Sequence, residues 1–170
     1  GAADTLSWTY DRLGRTMTES SQRHGTTLSY GYDEASNRTS LSIDGTLFLE
    51  YDYDDLSRLW HIRRGGKVFE LGYDELSRRT SLSFPNGVVT SYGYDPDGMS
   101  RLTNLDIQHG GGNVALFKYS YDDAGNRTRK ETDALAEDYG YDALDRLRSV
   151  ERPGLARRFG YDAVGNRTSE

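Results

Sequence analysis

Apolar and polar residues alternate along most of this chain, in short runs that end at glycine, asparagine or aspartate. The clearest run is 80–94, where every second residue on either side of a turn at 85–87 is threonine, aliphatic or aromatic. A period of two is that of a β-strand with one covered face. No segment has the 3.6-residue apolar period of a helix. The pattern predicts an all-β chain.

One dipeptide, Tyr-Asp, marks eight tandem repeats with spacings of 20 to 27 residues. An arginine follows each motif tyrosine by five to seven positions. The motif residues, which we predict to be structural, are Tyr10, Asp11 and Arg15; Tyr32, Asp33 and Arg38; Tyr53, Asp54 and Arg58; Tyr73, Asp74 and Arg78; Tyr94, Asp95 and Arg101; Tyr121, Asp122 and Arg127; Tyr141, Asp142 and Arg146; and Tyr161, Asp162 and Arg167. The chain is thus a single array with repeats near 8–29, 30–50, 51–70, 71–91, 92–118, 119–138, 139–158 and 159–170.

A second large side chain stands two residues before each motif tyrosine, which places both on one face of a strand. The residue between them is often glycine, which predicts that a neighbouring group approaches the opposite face closely. These glycines are Gly31, Gly72, Gly93, Gly140 and Gly160.

Each Tyr-Asp motif leads into a predicted turn. The aspartate accepts backbone N–H bonds, and glycine three residues later (Gly14, Gly125, Gly165) suits a type I turn with a bulge. A second turn follows about ten residues later. Each repeat is then two antiparallel strands, so eight repeats predict a meander of about 15–16 short strands. Open sheets rarely exceed about 10 strands without curling, so we expect a curved or spiralling β-strip, a partial shell.

The composition of the chain is consistent with a thin β-sheet and argues against several other classes of protein. Hydrophobic residues make up 35% of the chain, but 13 tyrosines are present, which favours a thin, wet sheet over disorder. The net charge of −6 comes from interspersed charges, which argues against binding nucleic acid. No run of 18 apolar residues is present, which argues against membrane insertion.

Candidate chemistry is sparse. The histidines, His24, His61 and His109, share no phase in the repeat and are interpreted as solvated residues in or near turns rather than catalytic or metal-binding groups. Aspartates at 52–55, 95–97 and 122–123 could offer oxygens to Ca²⁺, but turn capping is the preferred interpretation. We therefore predict no enzyme, no cofactor and no metal. Exposed tyrosines leave carbohydrate binding open as an alternative.

The motif Tyr-Asp-x-x-Gly-Asn-Arg-Thr at 121–128 and 161–168, with near matches at 32–39 and 73–80, resembles the YD-repeat (Rhs-repeat) family over nearly the whole chain. Members include bacterial Rhs polymorphic toxins, the shell-forming component of insecticidal Tc toxin complexes, and teneurins. The resemblance implies a β-strip that spirals into a hollow shell, with a secreted or cell-surface location. The shell would enclose a toxin cargo or, alternatively, support adhesion.

Two further expectations concern the ends of the array. The family's usual closing core segment and toxin domain are not recognisable, and no return strand is expected after Thr168. We therefore expect a fragment of a longer protein, whose remaining repeats would be its partners. Open sheet edges also predict self-association.

Overall fold

The computed structural model describes residues 4–169, and all regular structure in that range is β-strand. The chain divides into two compact units. The N-terminal unit extends to Ser77 and includes Leu82–Asn86; the C-terminal unit comprises Arg78–Ser81 and the chain from Gly87 onward. The described residues form no helix that is long and apolar enough to cross a membrane. The all-β prediction is confirmed.

In the N-terminal unit, seven strands pair with one another in the order of the sequence, each antiparallel to the next. They are β1 (Leu6–Tyr10), β2 (Thr16–Ser21), β3 (Thr26–Tyr32), β4 (Arg38–Ile43), β5 (Thr46–Tyr53), β6 (Leu59–Arg64) and β7 (Lys67–Tyr73), and β8 (Arg79–Ser83) follows.

The C-terminal unit repeats the pattern with antiparallel neighbours in sequence order, except that its last two strands pair only with each other in a sheet of their own. Its strands are β9 (Val88–Tyr94), β10 (Leu102–His109), β11 (Gly112–Tyr121), β12 (Arg127–Thr132), β13 (Ala136–Tyr141), β14 (Leu147–Arg152), β15 (Leu155–Arg158), β16 (Gly160–Tyr161) and β17 (Arg167–Ser169). The strand order β1 to β15 follows the sequence, which confirms the meander. In the last repeat the return begins at Arg167 as the motif predicts, and within the described residues it extends one residue beyond Thr168, as β17 paired with β16. Curvature of the strip stays a prediction.

The turn after each Tyr-Asp motif has the bulge that the sequence predicts. The strand register shifts at the motif tyrosine, and Gly14, Gly125 and Gly165 have positive φ angles of 77°, 90° and 92°. In other repeats a non-glycine residue takes this left-handed position, as Ser36 and Ser57 do with φ of 68° and 57°. Glycine is therefore not obligatory there, although serine carries a conformational cost that glycine avoids.

The two faces of the sheet differ in the way the sequence predicts. On one face the aromatic residue before the motif tyrosine lies across from an aliphatic residue in several repeats, as in the pairs Tyr51–Ile62 and Tyr139–Val150, whereas Trp8 and Tyr119 face Glu19 and Lys130. Leu71, at 6% exposure, is the most buried apolar residue of the described part of the chain. The sheet thus has a thin apolar face rather than a thick core.

On the opposite face, the glycines between the aromatic residues admit a neighbouring side chain, as predicted. A Cβ on Gly140 would lie 2.6 Å from the Oγ of Ser149, and one on Gly93 would lie 3.1 Å from the Cβ of Asn104. Ordinary contacts between such atoms are longer, so a side chain at either glycine would displace its partner. The close approach ties Gly93 most firmly to its place, because the opposing atom there is a Cβ rather than a rotatable hydroxyl.

Candidate functional site

The repeated chemistry of this chain lies in its Tyr-Asp turns, which the aspartate closes. In the first repeat, the Asp11 carboxylate accepts hydrogen bonds from the backbone N–H groups of Leu13 and Arg15, at 2.8 and 2.9 Å. The Nε of Arg15 donates to the second oxygen at 2.6 Å. Asp54 and Asp142 bind their own turns in the same manner. The carboxylate thereby satisfies turn N–H groups that strand pairing leaves free.

The arginine four residues after the aspartate also reaches the next repeat along the chain. Arg15 donates from a terminal nitrogen to the carbonyl oxygen of Asp33 at 3.0 Å, and its guanidinium lies 4.7 Å from the centre of the Tyr32 ring. Arg58 contacts Asp74 and Tyr73 at 3.0 and 4.8 Å. One guanidinium therefore binds both its own turn and the turn of the next repeat. It can do so because its several N–H donors point in different directions within one plane.

The C-terminal unit contains the same bridge. Arg146 donates to the Asp162 carbonyl at 3.3 Å and lies 4.6 Å from the Tyr161 ring centre. Arg101 comes six residues after Asp95 because that turn is longer, yet it reaches the Asp122 carbonyl at 3.0 Å. We call this arrangement the arginine clamp.

In three repeats, asparagine takes the place of the clamp arginine. Asn37 donates from its backbone and side-chain nitrogens to Asp33, and its side chain also donates to the Oγ of Ser57 at 3.2 Å. Asn126 likewise binds Asp122 and reaches Asp145 at 2.7 Å. Ser57 and Asp145 occupy the left-handed position of the following turn. A polar residue at that strained position thus supplies the acceptor that the shorter asparagine requires.

The structure divides seven of the eight predicted arginines into two groups. Clamp positions hold Arg15, Arg58, Arg101 and Arg146, whereas Arg38, Arg127 and Arg167 follow an asparagine and begin a return strand. The second group stacks on the aromatic residue upstream in its own repeat. The guanidinium–ring distances are 5.0 Å for Arg38–Tyr30, 5.6 Å for Arg127–Tyr119 and 5.3 Å for Arg167–Phe159. The eighth, Arg78, lies four residues after Asp74, and its guanidinium is 4.7 Å from the ring centre of Tyr94 in the next repeat, as in the clamp; its neighbour Arg79 stacks on Tyr92.

The hydroxyl of each later motif tyrosine makes a second link between repeats. The Tyr32 hydroxyl donates to the carbonyl oxygen of Thr16 at 2.9 Å. Thr16 is the residue that directly follows Arg15, the clamp arginine of the preceding repeat. The same bond is made by Tyr53, Tyr73, Tyr94, Tyr121, Tyr141 and Tyr161, at 2.7 to 3.0 Å. Tyr10, in the first repeat, is instead 60% exposed. Sequence reasoning missed these links, because any residue type can supply the accepting carbonyl.

His61 differs from its prediction as a solvated residue in or near a turn. It lies within β6, where its Nδ1 is 3.4 Å from Asp52, which also pairs with Arg63 at 2.5 Å. The strand register explains this, since His61 lies directly across from Asp52. Among residues 4–169, no group of three or more His, Cys, Asp or Glu side chains is placed to hold a metal ion. The aspartates once considered for Ca²⁺, such as Asp54 and Asp122, bind their turns.

The turn carboxylates make the fold sensitive to acid. The backbone N–H and then the guanidinium of the clamp arginine hold the pKa of Asp11, Asp54 and Asp142 below its ordinary value, against opposing desolvation. At Asp95 desolvation is the largest effect, but bonds to Arg101 overcome it and the pKa is again lowered. The unfolded chain therefore binds protons more readily than the folded one. This stability is present above the ordinary aspartate pKa of about 4 and is lost as pH falls below it.

We therefore expect the urea midpoint to fall as the pH is lowered from 5 to 3. Asp54→Asn should reduce the steepness of this fall, because it removes one carboxylate with a lowered pKa. The matched control is Asp55→Asn at the exposed neighbouring position, which should leave the steepness unchanged. Equal effects of the two variants would contradict a role for the turn carboxylate.

The natural exchange of arginine and asparagine predicts a ranked response at position 58. Arg58→Asn keeps the bond to Asp54 and can reach Ser77, whose Oγ already accepts from Arg58 at 3.2 Å. Arg58→Ala loses both, and leaves the Asp54 carboxylate with backbone partners only. We expect unfolding free energies to rank Arg above Asn above Ala, with steps of about 1 kcal/mol. Chemical denaturation of the three proteins measures this, and Asn falling level with Ala would refute it.

Comparison with solved structures finds chains of Tc toxins. The crystal structure of TcdB2-TccC3-TEV matches with a TM-score of 0.58 and 20% identity, over 97% of this chain and 9% of that chain. The Photorhabdus luminescens Tc holotoxin pore with mutated TccC3 matches with a TM-score of 0.57 and 19% identity, over 96% of this chain and 9% of that chain. No family model and no curated protein sequence matches. The chain therefore shares its fold with a segment of these Tc toxin chains, and it spans 9% of their length.

Proposed function

We propose that this chain is a structural YD-repeat segment of a β-shell that scaffolds or encapsulates a cargo, such as a C-terminal toxin domain. The observation that carries the proposal is the link between successive repeats, in which arginine or asparagine and tyrosine bind one turn to the next. Such links serve a continuous wall, because they fix each repeat to its neighbours. The likeness to Tc toxin chains over 97% of this chain supports the same role.

The proposal assigns the chain no catalysis of its own. The aspartates and arginines of the motif are engaged in holding turns, and their regular recurrence suits packing better than a single reactive centre. The partners would be further repeats of the same array and the enclosed cargo. The protein would act outside the cell or at its surface.

Electron microscopy of the full-length gene product that carries this segment tests the proposal. We expect a particle with a wall one sheet thick around a cavity, and protection of the enclosed domain from added protease. A compact particle without a cavity would overturn the proposal. So would cargo that is digested at the same rate in the intact particle and after denaturation.

A second candidate function, carbohydrate binding, is favoured by one feature of the third repeat. Trp60 is 47% exposed and borders an open cavity of about 400 Å³ with Tyr53, Tyr73, Asp55 and Arg58. Exposed indole rings stack on the apolar faces of sugars, and carboxylates accept bonds from sugar hydroxyls. Titration of the chain with oligosaccharides, followed by tryptophan fluorescence, tests this. Carbohydrate binding would be supported if the Trp60→Ala variant no longer bound the sugar while the Trp8→Ala variant still did. If no sugar changed the fluorescence, this candidate function would be ruled out.

A further inference from the structure

The Tyr-Asp turns carry a row of exposed aliphatic side chains that the turns themselves do not need. In the N-terminal unit, the residue two positions after the motif aspartate is Leu13, Leu56 or Leu76, with 72%, 66% and 63% of its surface exposed. We call these three leucines the tip row. The C-terminal unit has Met99, Leu144 and Val164 at its own turn tips, with 60%, 71% and 82% of their surface exposed. Scattered exposed apolar residues are ordinary, but a phased row is not.

Turn geometry does not account for the leucines. Leu13 and Leu56 contribute backbone N–H groups to the motif aspartate, which any residue except proline supplies. The second and sixth repeats form the same turn with Ala35 and Ala124 at this position. The turn alone therefore does not explain why leucine occupies this position in the first, third and fourth repeats.

The clamps hold the tip row at a fixed spacing. Arg15 and Arg58 each bind the turn of the next repeat, and consecutive turns on one edge of a meander are two strands, or about 10 Å, apart. A preformed row loses little conformational freedom when it binds a partner. Ala35 separates Leu13 from Leu56, so the leucines stand two repeats and then one repeat apart, and this spacing fits a partner built from the same repeat.

The opposite edge of the N-terminal unit has matching properties. This far-turn edge, formed by the turns at 22–25, 44–45 and 65–66, exposes Leu47 and Val68. Exposed charges beside the tip row have an acidic excess, and those on the far-turn edge have a basic excess. Beside the tip row they are Glu34, Asp55 and Glu75 against Arg12 and Arg38; on the far-turn edge they are Arg23, Arg64 and Lys67 against Asp44. Opposite charges and apolar residues on both edges suit edge-to-edge contact.

From this complementarity we propose that the tip row is a docking surface for the far-turn edge of a second YD-repeat strip. The proposal rests on the proposed function, since neighbouring strips of one wall would meet in this way. The chains that share this fold are long enough to supply such a strip, because this chain spans 9% of them. For the 170-residue chain alone, the second strip is a second copy.

Sedimentation velocity over a range of concentrations tests the proposal on the chain itself. We expect the wild type to self-associate. Leu13→Ser/Leu56→Ser/Leu76→Ser should raise the dissociation constant by about tenfold or more, and so should Leu47→Ser/Val68→Ser on the far-turn edge. The tip-row leucines are 63–72% exposed, and Leu47 and Val68 are 54% and 40% exposed, so each variant should stay folded with a urea midpoint close to that of the wild type.

Two controls separate this contact from other modes of association. Ala35→Ser alters the tip of a turn that has no leucine and should leave association unchanged. Trp8→Lys charges β1, the edge strand, and should also leave it unchanged, whereas pairing through strand edges would make it the decisive change. A wild type that stays monomeric, or loss of association with Trp8→Lys only, would overturn the proposal. Neither result bears on the cavity that microscopy of the full-length protein would detect.

Discussion

Replacing Tyr32 with alanine is expected to lower the free energy of unfolding by about 2–3 kcal/mol, because the ring and its hydroxyl both join two repeats. The ring lies under the Arg15 guanidinium, and the hydroxyl donates to the Thr16 carbonyl at 2.9 Å. Tyr32 is only partly buried, so the loss should fall below that of a fully enclosed aromatic residue. In linear repeat proteins the stability is roughly a sum of terms within repeats and between neighbours. The substitution therefore removes part of the interaction energy between two neighbouring repeats.

Tyr10 provides the matched control, since it has the same motif position but is 60% exposed. Tyr10→Ala should cost less than about 1 kcal/mol, as surface substitutions usually do. Tyr32→Phe separates the two contributions, because it keeps the ring and loses the hydroxyl bond, at a cost of about 1 kcal/mol. Urea denaturation of the four proteins measures the differences. Equal costs for Tyr10→Ala and Tyr32→Ala would contradict the idea that the link between repeats is what matters.

The architecture could be predicted from the sequence because the repeat encodes it locally. Alternation specifies strands, Asp-x-x-Gly specifies turns, and short connections make consecutive strands neighbours. The prediction for the glycines succeeded for the same reason. A glycine such as Gly31 inside a strand indicates that a neighbouring side chain comes close at that point, and the side chain of Ser40 on the paired strand lies there.

The contacts between repeats were less predictable. Arg15 and Arg38 look equivalent in a pattern that allows five to seven positions after tyrosine, yet one bridges two turns and the other begins β4. What separates them is Asn37, which fills the clamp position and moves the arginine one residue onward. A single-residue shift matters here because it changes the direction in which the side chain points.

The left-handed serines were also missed, since glycine is the expected residue at positive φ. Ser57 and Ser77 adopt the unfavourable positive φ. The hydroxyl of Ser57 binds Asn37 and that of Ser77 binds Arg58, in each case a side chain of the preceding repeat. Local turn preference and contact between repeats thus compete at this position. A pattern within one repeat contains only the first of these two effects.

The last prediction concerns the face on which glycine is required. Gly93→Val should lower the free energy of unfolding by about 1–3 kcal/mol, as added groups in packed sites do. A Cβ at position 93 would lie 3.1 Å from the Cβ of Asn104, which no side-chain rotation can move. Chemical denaturation of the variant measures the cost. Asn104→Gly in the same chain should recover at least half of it, because it removes the opposing atom.

Gly140→Ala is the contrasting case and should be close to neutral. Its Cβ would meet the Oγ of Ser149 at 2.6 Å, but the Cβ of Ser149 at an ordinary 3.8 Å, so rotation of the serine hydroxyl relieves the clash. Alanine also lacks the entropic cost of glycine in a strand, worth roughly 0.5–1 kcal/mol. The two glycines share one motif position, and only the atom across the strand distinguishes them. A loss for Gly140→Ala as large as that for Gly93→Val would show that the kind of atom across the strand does not decide the cost.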